Sequence, residues 1–497
     1  MDHLLAAIDL GSNSFRLSIG RVVQQNGNAQ IYAVDRLKES VQLADGLGPD
    51  EILDKPAINR ALKVLKRYGE RLEGFDPNRV RAVATNTFRV ARNVSQILPL
   101  AEAALGFPIE VISGQEEARL IYSGVANELP PSGHRRLVID IGGGSTEVII
   151  GKGHNPMRLS SLHTGCATAT RKYFPGGVIT AERMDRAELA ARREFETISK
   201  AYRKLGWQQA YGSSGTAKGL MAILTEGGMS KKGITLSGLE ALKRKLIADG
   251  KVVMENLPGV KPTRVPVLAG GLVIMMAAFR ELKIDVMQQG EGALRVGVLY
   301  DLLGRDSEHD KRDETVHLFL KRYNVDINQA NRVKELALKL FTSLDTDPDE
   351  TPEIARSLAW ASDLHEIGMS IAHAEYHRHS AYILEHADMP GFSKDDQALL
   401  SWMALGHHGK LSKLKPYRLT RTQWLALLSL RLAVLLCRRR ETLPELPLSI
   451  QAPSGTNSIR VLSSKEWLSS HALSEYSLHN EEQEWKKTGF DFDLIET

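Results

Sequence analysis

The sequence predicts a duplicated α/β fold that continues into an all-helical domain and a small α+β module. Three observations predict it. A short hairpin pattern occurs twice, first as Ile8-Asp9-Leu10-Gly11-Ser12-Asn13-Ser14-Phe15-Arg16-Leu17 and again as Ile139-Asp140-Ile141-Gly142-Gly143-Gly144-Ser145-Thr146-Glu147-Val148. Apolar strand runs alternate with helical patterns around both copies, as an α/β fold requires. Beyond about residue 306 the pattern changes, and residues 313–442 read as long helices without strands. A chain of 497 residues is too long for one core. The expected segments are 1–128 and 129–305 for the two α/β lobes, 306–442 for the helical domain and 443–497 for the terminal module.

Each element follows from local chemistry. Residues 4–43 form strands around the first Gly/Ser turn. Ile58, Leu62, Leu65, Tyr68 and Leu72 recur at helical spacing and predict a helix against that sheet. Val80–Ala84 is a buried strand leading into a polar turn, Thr85–Arg89, at the strand end where α/β proteins place ligands. A helix through Ala101–Leu105 stops at Gly106, and Ile109–Ile112 is the next strand. Ser113 and Glu116 form an S-x-x-E capping box for a helix running to about Asn127. That gives Glu116 a structural task and leaves Glu117 without one. Pro130-Pro131-Ser132-Gly133 breaks the chain before the second hairpin. Tyr211–Thr216 is a strand with a Gly-rich turn, and Gly290–Tyr300 opens the helix that closes the second domain. In the last segment Ser458–Leu462 is a strand, and Trp467, Trp485 and Phe490 are aromatic anchors.

Composition excludes several classes. The net charge of +4 is small, so attraction for polyanions must come from local clusters. Two cysteines, Cys166 and Cys437, cannot build a disulfide framework and fit a reducing cytoplasm. The N-terminus has no basic region before an apolar run, so it does not read as a signal peptide. Val267–Phe279 and Trp424–Cys437 fall short of the ~20 residues that span a bilayer, and read as core helices.

The paired hairpins carry the chemistry. A turn stripped of side-chain bulk aims backbone N–H groups at phosphate, and the aspartate at its mouth suits a hard cation. The first copy offers Gly11, Ser12, Asn13 and Ser14. The second offers Gly142, Gly143, Gly144 and Ser145. Glu147 returns opposite Asp140, a carboxylate pair for Mg²⁺, whereas the equivalent position in the first copy is Arg16. One lobe is therefore expected to hold metal and the other mainly phosphate.

The segments DLGSNSF, Thr85–Arg89, SGQEEARL, VIDIGGGSTE and GSSGT, in this order and spacing, resemble the exopolyphosphatase/guanosine pentaphosphate phosphohydrolase (Ppx/GppA) family. The resemblance implies two actin-like, ribonuclease H-like lobes. It implies hydrolysis of terminal phosphate from inorganic polyphosphate, with Mg²⁺, stimulation by K⁺, and a homodimer. It assigns Glu117 to water activation and Arg89 to gripping the phosphate chain. It assigns Asp140 and Glu147 to the metal and phosphate loop and Gly142 to Ser145 to cradling the phosphate chain, while Asp9 as a metal ligand and the first turn as a phosphate grip rest on the hairpin pattern itself. Tyr173–Ile179 (YFPGGVI) and the histidine-rich stretch place the chain nearer the exopolyphosphatases. The alternatives are hydrolysis of pppGpp to ppGpp, and a non-catalytic actin-like nucleotide-binding module. Location is expected to be cytoplasmic, with loose attachment to the inner membrane left open, and no protein partner is indicated. The family commonly carries glutamate where this chain has Val296, which leaves Arg295 in need of a partner.

Two features of the helical domain stand apart. His365, His373, His377, His379, His386, His407 and His408 are seven of the chain's 15 histidines. They resemble an HD phosphohydrolase domain, but Glu366 stands where aspartate is expected, which favours a structural domain without active metal. Between Gln397 and Arg440 there is no Asp or Glu, while Lys410, Lys413, Lys415, Arg418, Arg421, Arg431, Arg438, Arg439 and Arg440 are basic. Lys413, Lys415 and Arg418 are expected to guide polyphosphate, with RNA as a competing polyanion.

Overall fold

A computed structural model describes residues 4–25, 28–130, 132–305, 310–414, 417–443 and 445–497. The chain divides into two compact units, Met1–Asp310 and Lys311–Thr497.

The first unit holds two lobes of the same topology. In the first lobe, β1 (Leu4–Leu10), β2 (Ser14–Gln25) and β3 (Asn28–Ser40) form a meander. Helix α1 (Lys55–Arg71) follows, capped by Asp54, whose carboxylate accepts from the Ala57 N–H. Then come β4 (Val80–Ala84), α2 (Asn86–Val90), α3 (Val94–Leu105), β5 (Ile109–Val111) and α4 (Gly114–Glu128). The sheet order is β3-β2-β1-β4-β5, antiparallel through the meander and parallel from β1 onward. Thr85–Arg89, expected as a turn, contributes instead to α2. Gly106 ends α3 at φ 82°, a left-handed conformation that glycine takes without strain.

The second lobe repeats this plan with β6 (Arg135–Ile141), β7 (Thr146–Lys152), β8 (Asn155–Leu162), α5 (Cys166–Tyr173), α6 (Ala181–Leu205), β9 (Gln209–Gly212), α7 (Gly215–Glu226), α8 (Leu236–Asp249), α9 (Leu268–Leu282) and β10 (Gln288–Gln289). Its sheet order is β10-β9-β6-β7-β8. The helical run Pro262–Leu282 is 21 residues and apolar enough to cross a membrane by length and composition. Every residue from Leu268 to Phe279 is buried in the lobe core, so it packs as a core helix.

Helix α10 (Leu294–Arg305) departs from expectation. It follows the second lobe in sequence but packs on α4 and β1 of the first. Leu294, Val298, Leu299 and Leu302 share a core with Leu5, Val83, Leu120 and Val125. Glycines permit the approach: a Cβ on Gly297 would strike the Leu120 carbonyl oxygen, and one on Gly124 the Ala293 carbonyl oxygen.

The second unit contains α11 (Lys311–Arg322), α12 (Ile327–Thr342), α13 (Thr351–Leu364), α14 (Tyr376–His386), α15 (Lys394–Gly406) and α16 (Arg421–Leu436). A three-stranded sheet of β11 (Leu448–Gln451), β12 (Ser458–Ser463) and β13 (Asp491–Glu496) follows, with α17 (Lys465–Ser470) and α18 (Ala472–Lys486) between its last strands. One core joins the helices to the sheet: Leu425 and Leu428 of α16 share it with Ile459, Trp485 and Phe492.

Candidate active site

The two hairpins share one pairing pattern. Asp9 lies opposite Arg16 on β1/β2, and Asp140 lies opposite Glu147 on β6/β7. Period-two alternation places each facing pair on one side of its sheet. The turns themselves meet, because a Cβ on Gly143 would stand 3.2 Å from Ser12 Cβ. Gly165, which precedes α5, presses on the Gly143–Gly144 peptide, and a Cβ there would strike the backbone. In the second turn the Gly142 N–H donates to the Ser145 carbonyl at 2.9 Å. In the first, the Ser12 hydroxyl accepts from Thr87 Oγ1 at 2.7 Å, and the Asn13 carbonyl accepts from the N–H groups of Val41 and Gln42. Gly11 stays in the turn, while Ser14 is the first residue of β2, paired with Ser40.

Helix α4 places Glu117 in this cleft. Ser113 caps the helix by accepting from the Glu116 N–H at 3.1 Å. The Glu116 carboxylate is taken by Arg119, whose Nε and Nη2 donate to its two oxygens at 2.7 Å each. Its structural task is thus an ion pair more than a reciprocal cap. Glu117, one residue on, points elsewhere and accepts from Arg89 Nη1 at 2.8 Å. The same nitrogen donates to the Ile112 carbonyl at 2.9 Å, which fixes the guanidinium. Glu147 Oε1 accepts from Ser161 Oγ at 2.8 Å, and Asp140 Oδ2 from Ser213 Oγ at 2.6 Å.

Burial pushes Asp9, Asp140 and Glu117 above the ordinary carboxylate range, and Glu147 well above it. Glu117 and Asp140 add repulsion at Glu147, as Asp9 and Asp140 do at Glu117, where Arg89 pulls the other way. Asp140 and Glu147, facing each other across the second hairpin, are a carboxylate pair suited to a divalent cation that keeps water and phosphate among its ligands. Asp9, Asp140 and Glu147 do not assemble as one ligand trio, since among the described residues no three His, Cys, Asp or Glu side chains are grouped to hold a metal. Asp9 sits on the other hairpin, facing Arg16.

Beside these acids lies a cavity of about 720 Å³. Arg16, Arg36, Lys38, Lys218, Lys261, Arg264 and Arg295 line it against only Glu128, Glu226 and Glu291. Ile19, Ile31 and Leu299 supply an apolar stretch of wall, and Val296 lies next to Arg295. Arg295 donates to Ser18 Oγ at 3.2 Å, while its buried Nε has no hydrogen-bond partner. Burial, with Arg16 adding to it, lowers Arg295 to about 10. Burial likewise lowers Lys38 to about 8, helped by Arg16, Arg264, Arg295 and Lys261. A wall of cations that repel one another is an anion site. Of these residues the sequence singled out Arg16 and raised the question of Arg295. The others come from β3, α7 and the segment before α9, and in sequence each is an ordinary surface base. The readable signal was the Gly-rich turn after β9, whose Ser213 bonds Asp140.

In the second unit, His365, His377, His407 and His408 gather around Tyr376. The His365 and His407 ring centroids are 5.1 Å apart, those of His377 and His408 5.4 Å, and His407 Nε2 lies 3.1 Å from Tyr376 Oη. The basic run is largely occupied. Arg431 is buried and paired with Glu481 at 2.6 Å, Arg440 pairs with Asp326 and Glu366, and Lys413 donates to the His408 carbonyl. Arg418 is exposed, and Lys415 lies outside the described residues. Arg421 donates to the carbonyls of Ala452, Pro453, Thr456 and Asp345, tying α16 to the β11–β12 loop. Arg421→Ala is therefore expected to lower stability by about 1–3 kcal/mol in denaturant melts, with no effect specific to long substrates. An unchanged midpoint would mean that these bonds do not hold α16 to the loop.

Two duplicated lobes with facing Asp-Gly hairpins, an acid on an intervening helix and a cation-lined cavity define an actin-like phosphate-handling protein. The Ppx/GppA phosphatase family matches residues 22–306, and Ppx/GppA phosphatase domain III matches residues 311–482. The chain belongs to the Ppx/GppA phosphatase family. It is 36% identical to the guanosine-5'-triphosphate,3'-diphosphate pyrophosphatase of Aeromonas hydrophila, over 99% of each chain. It is also 36% identical to that of Pseudoalteromonas translucida, over 98% of this chain and 97% of the relative. Among solved structures, the Ppx/GppA family member of Aquifex aeolicus covers 62% of this chain and matches over all of its own length, with TM-score 0.51 and 24% identity. An exopolyphosphatase from Cytophaga hutchinsonii covers 60% of this chain and matches over 97% of its own, with TM-score 0.54 and 23% identity. These two likenesses concern the fold of the lobes.

Proposed function

We propose that this chain hydrolyses the terminal 5'-phosphoanhydride of pppGpp, releasing orthophosphate and leaving ppGpp. The observation that carries this reading is the cavity beside Asp140, which joins a wall of cations to an apolar stretch. Five phosphates suit the cations, and a nucleoside suits Ile19, Ile31 and Leu299. The relatives named above support the same substrate. The resemblance in sequence put polyphosphate first, but 36% identity over nearly the whole chain to guanosine-5'-triphosphate,3'-diphosphate pyrophosphatases moves the preference to pppGpp. Polyphosphate stays the second reading, favoured by the predominance of cations in the cavity.

Phosphoryl transfer needs positioning and charge neutralisation more than covalent chemistry. Glu117 accepts the proton of the attacking water, which forms a bond to the terminal phosphorus as the bridging oxygen leaves with the nucleotide. Arg89 holds the Glu117 carboxylate in place. Asp140 and Glu147 fit Mg²⁺, which is usually bound by one or two carboxylates plus phosphate and water. When bound, Mg²⁺ would offset the charge on the phosphoryl oxygens. The test is orthophosphate release from pppGpp, GTP and long-chain polyphosphate in parallel. The expected order has pppGpp first, because GTP lacks the 3'-diphosphate. Faster release from polyphosphate would reverse the two readings, and no release from any would remove both.

A further inference from the structure

Helix α10 joins the substrate cavity to the acid that works on the substrate. Arg295, Val296 and Leu299 of this helix line the cavity. Further along the same helix, Asp301 enters a buried ion cluster. Its Oδ2 accepts from Arg81 Nη1 at 2.6 Å, and its Oδ1 accepts from Arg119 Nη2. Arg119 in turn holds both oxygens of Glu116. On its other side Arg81 donates to Glu110 from Nη2 at 2.8 Å, and Arg305 pairs with Glu110 at 3.2 Å. The side chains of Arg81, Glu116, Arg119 and Asp301 are each less than a tenth exposed. Burial alone would raise Glu110, but Arg81 and Arg305 outweigh it and hold it at about 2. They and Arg119 hold Asp301 lower still.

Buried ion pairs give up much of their attraction to desolvation and are weak evidence of a purely stabilising role. This one has a geometric consequence. Consecutive helix residues are turned about 100° apart. Glu116 therefore faces the ion cluster while Glu117 faces Arg89 and the cleft. Any roll or slide of α4 that moves Glu116 moves Glu117 with it. The glycine contacts between α4 and α10 close the remaining gap.

We propose that Asp301 is a positioning residue for the hydrolysis: through Arg119 and Glu116 it fixes α4 against α10, so that Glu117 keeps its place relative to substrate held by the α10 wall. This rests on the phosphohydrolase reading. Glu110 supplies the comparison: it bonds Arg81 and Arg305, and its route to α4 runs through Arg81, whose Nη2 stands 3.8 Å from Glu116 Oε1, a longer contact than the 2.7 Å from Arg119.

The experiment measures kcat and KM for orthophosphate release from pppGpp, GTP and polyphosphate, together with thermal unfolding, for wild type, Asp301→Asn, Asp301→Glu, Arg119→Lys and Glu110→Gln. Displacing a reacting group by about 1 Å costs about 100-fold. Asp301→Asn is therefore expected to lower kcat by about 10- to 100-fold with KM within about threefold, and Asp301→Glu to recover part of the loss. Glu110→Gln is expected to lower the melting temperature while keeping kcat within about twofold. If Asp301→Asn does not fold, Arg119→Lys breaks the same link and is expected to show the same loss of kcat. A folded Asp301 or Arg119 variant with wild-type kcat overturns the inference, as does an equal loss of kcat in Glu110→Gln. A wild-type protein silent on every substrate overturns the phosphohydrolase reading instead.

Discussion

Glu117→Gln is expected to lower kcat by about two to four orders of magnitude, the usual contribution of a positioned general base. KM should stay within a fewfold, because glutamine keeps the size of the side chain and still accepts from Arg89 through its amide oxygen. Single-turnover release and equilibrium binding of pppGpp to the variant separate the two effects. The pH dependence has a definite sign. Burial raises Glu117 above the ordinary carboxylate range, with Arg89 opposing and Asp9 and Asp140 reinforcing. A base works only when ionised, so activity falls as pH drops through that raised value, and the fall begins at higher pH than for an exposed glutamate. Near-normal turnover in Glu117→Gln would move the role of base to another group and leave Glu117 as a first-turn acid of α4.

The same residue shows what sequence reasoning reached and by which route. Glu117 was set apart because Glu116 had a competing local use, and the structure gives Glu116 a different structural use, with Arg119. The inference depended on adjacency and helix geometry, both of which are local. The facing of Asp140 and Glu147 was legible for a similar reason, because a short turn fixes hairpin register. The α10 excursion to the first lobe was not legible, because the glycines that permit it, Gly124 and Gly297, match across a long stretch of chain. In the basic run of the second unit, the pairing of some members was not legible either. No acid lies between Gln397 and Arg440, but Glu481 comes to Arg431 from α18, and Asp326 and Glu366 come to Arg440. The cation wall of the cavity was missed because its members converge only in the fold.

Lys38→Met combined with Arg295→Met is expected to raise KM for pppGpp by about 10- to 100-fold per charge lost, since a charge-assisted hydrogen bond is worth about 1.5–3 kcal/mol. The double variant should also unfold at a temperature equal to or above that of the wild type. Both expectations follow from one feature. Lys38, Arg16, Arg264 and Arg295 repel one another in the free protein, and burial deepens the cost. Removing two of these charges relieves the repulsion and removes the attraction for phosphate together. The pH test fixes the sign. Lys38 is lowered from 10.5 to about 8 in the folded chain, so its penalty is fully present below about 8. It fades as pH rises from there toward 10.5, where the unfolded chain also loses the proton. Wild-type stability should therefore gain over that window relative to Lys38→Met. A double variant that is clearly less stable than wild type, with KM unchanged, would mean that these cations hold the lobes together and that the phosphates bind elsewhere.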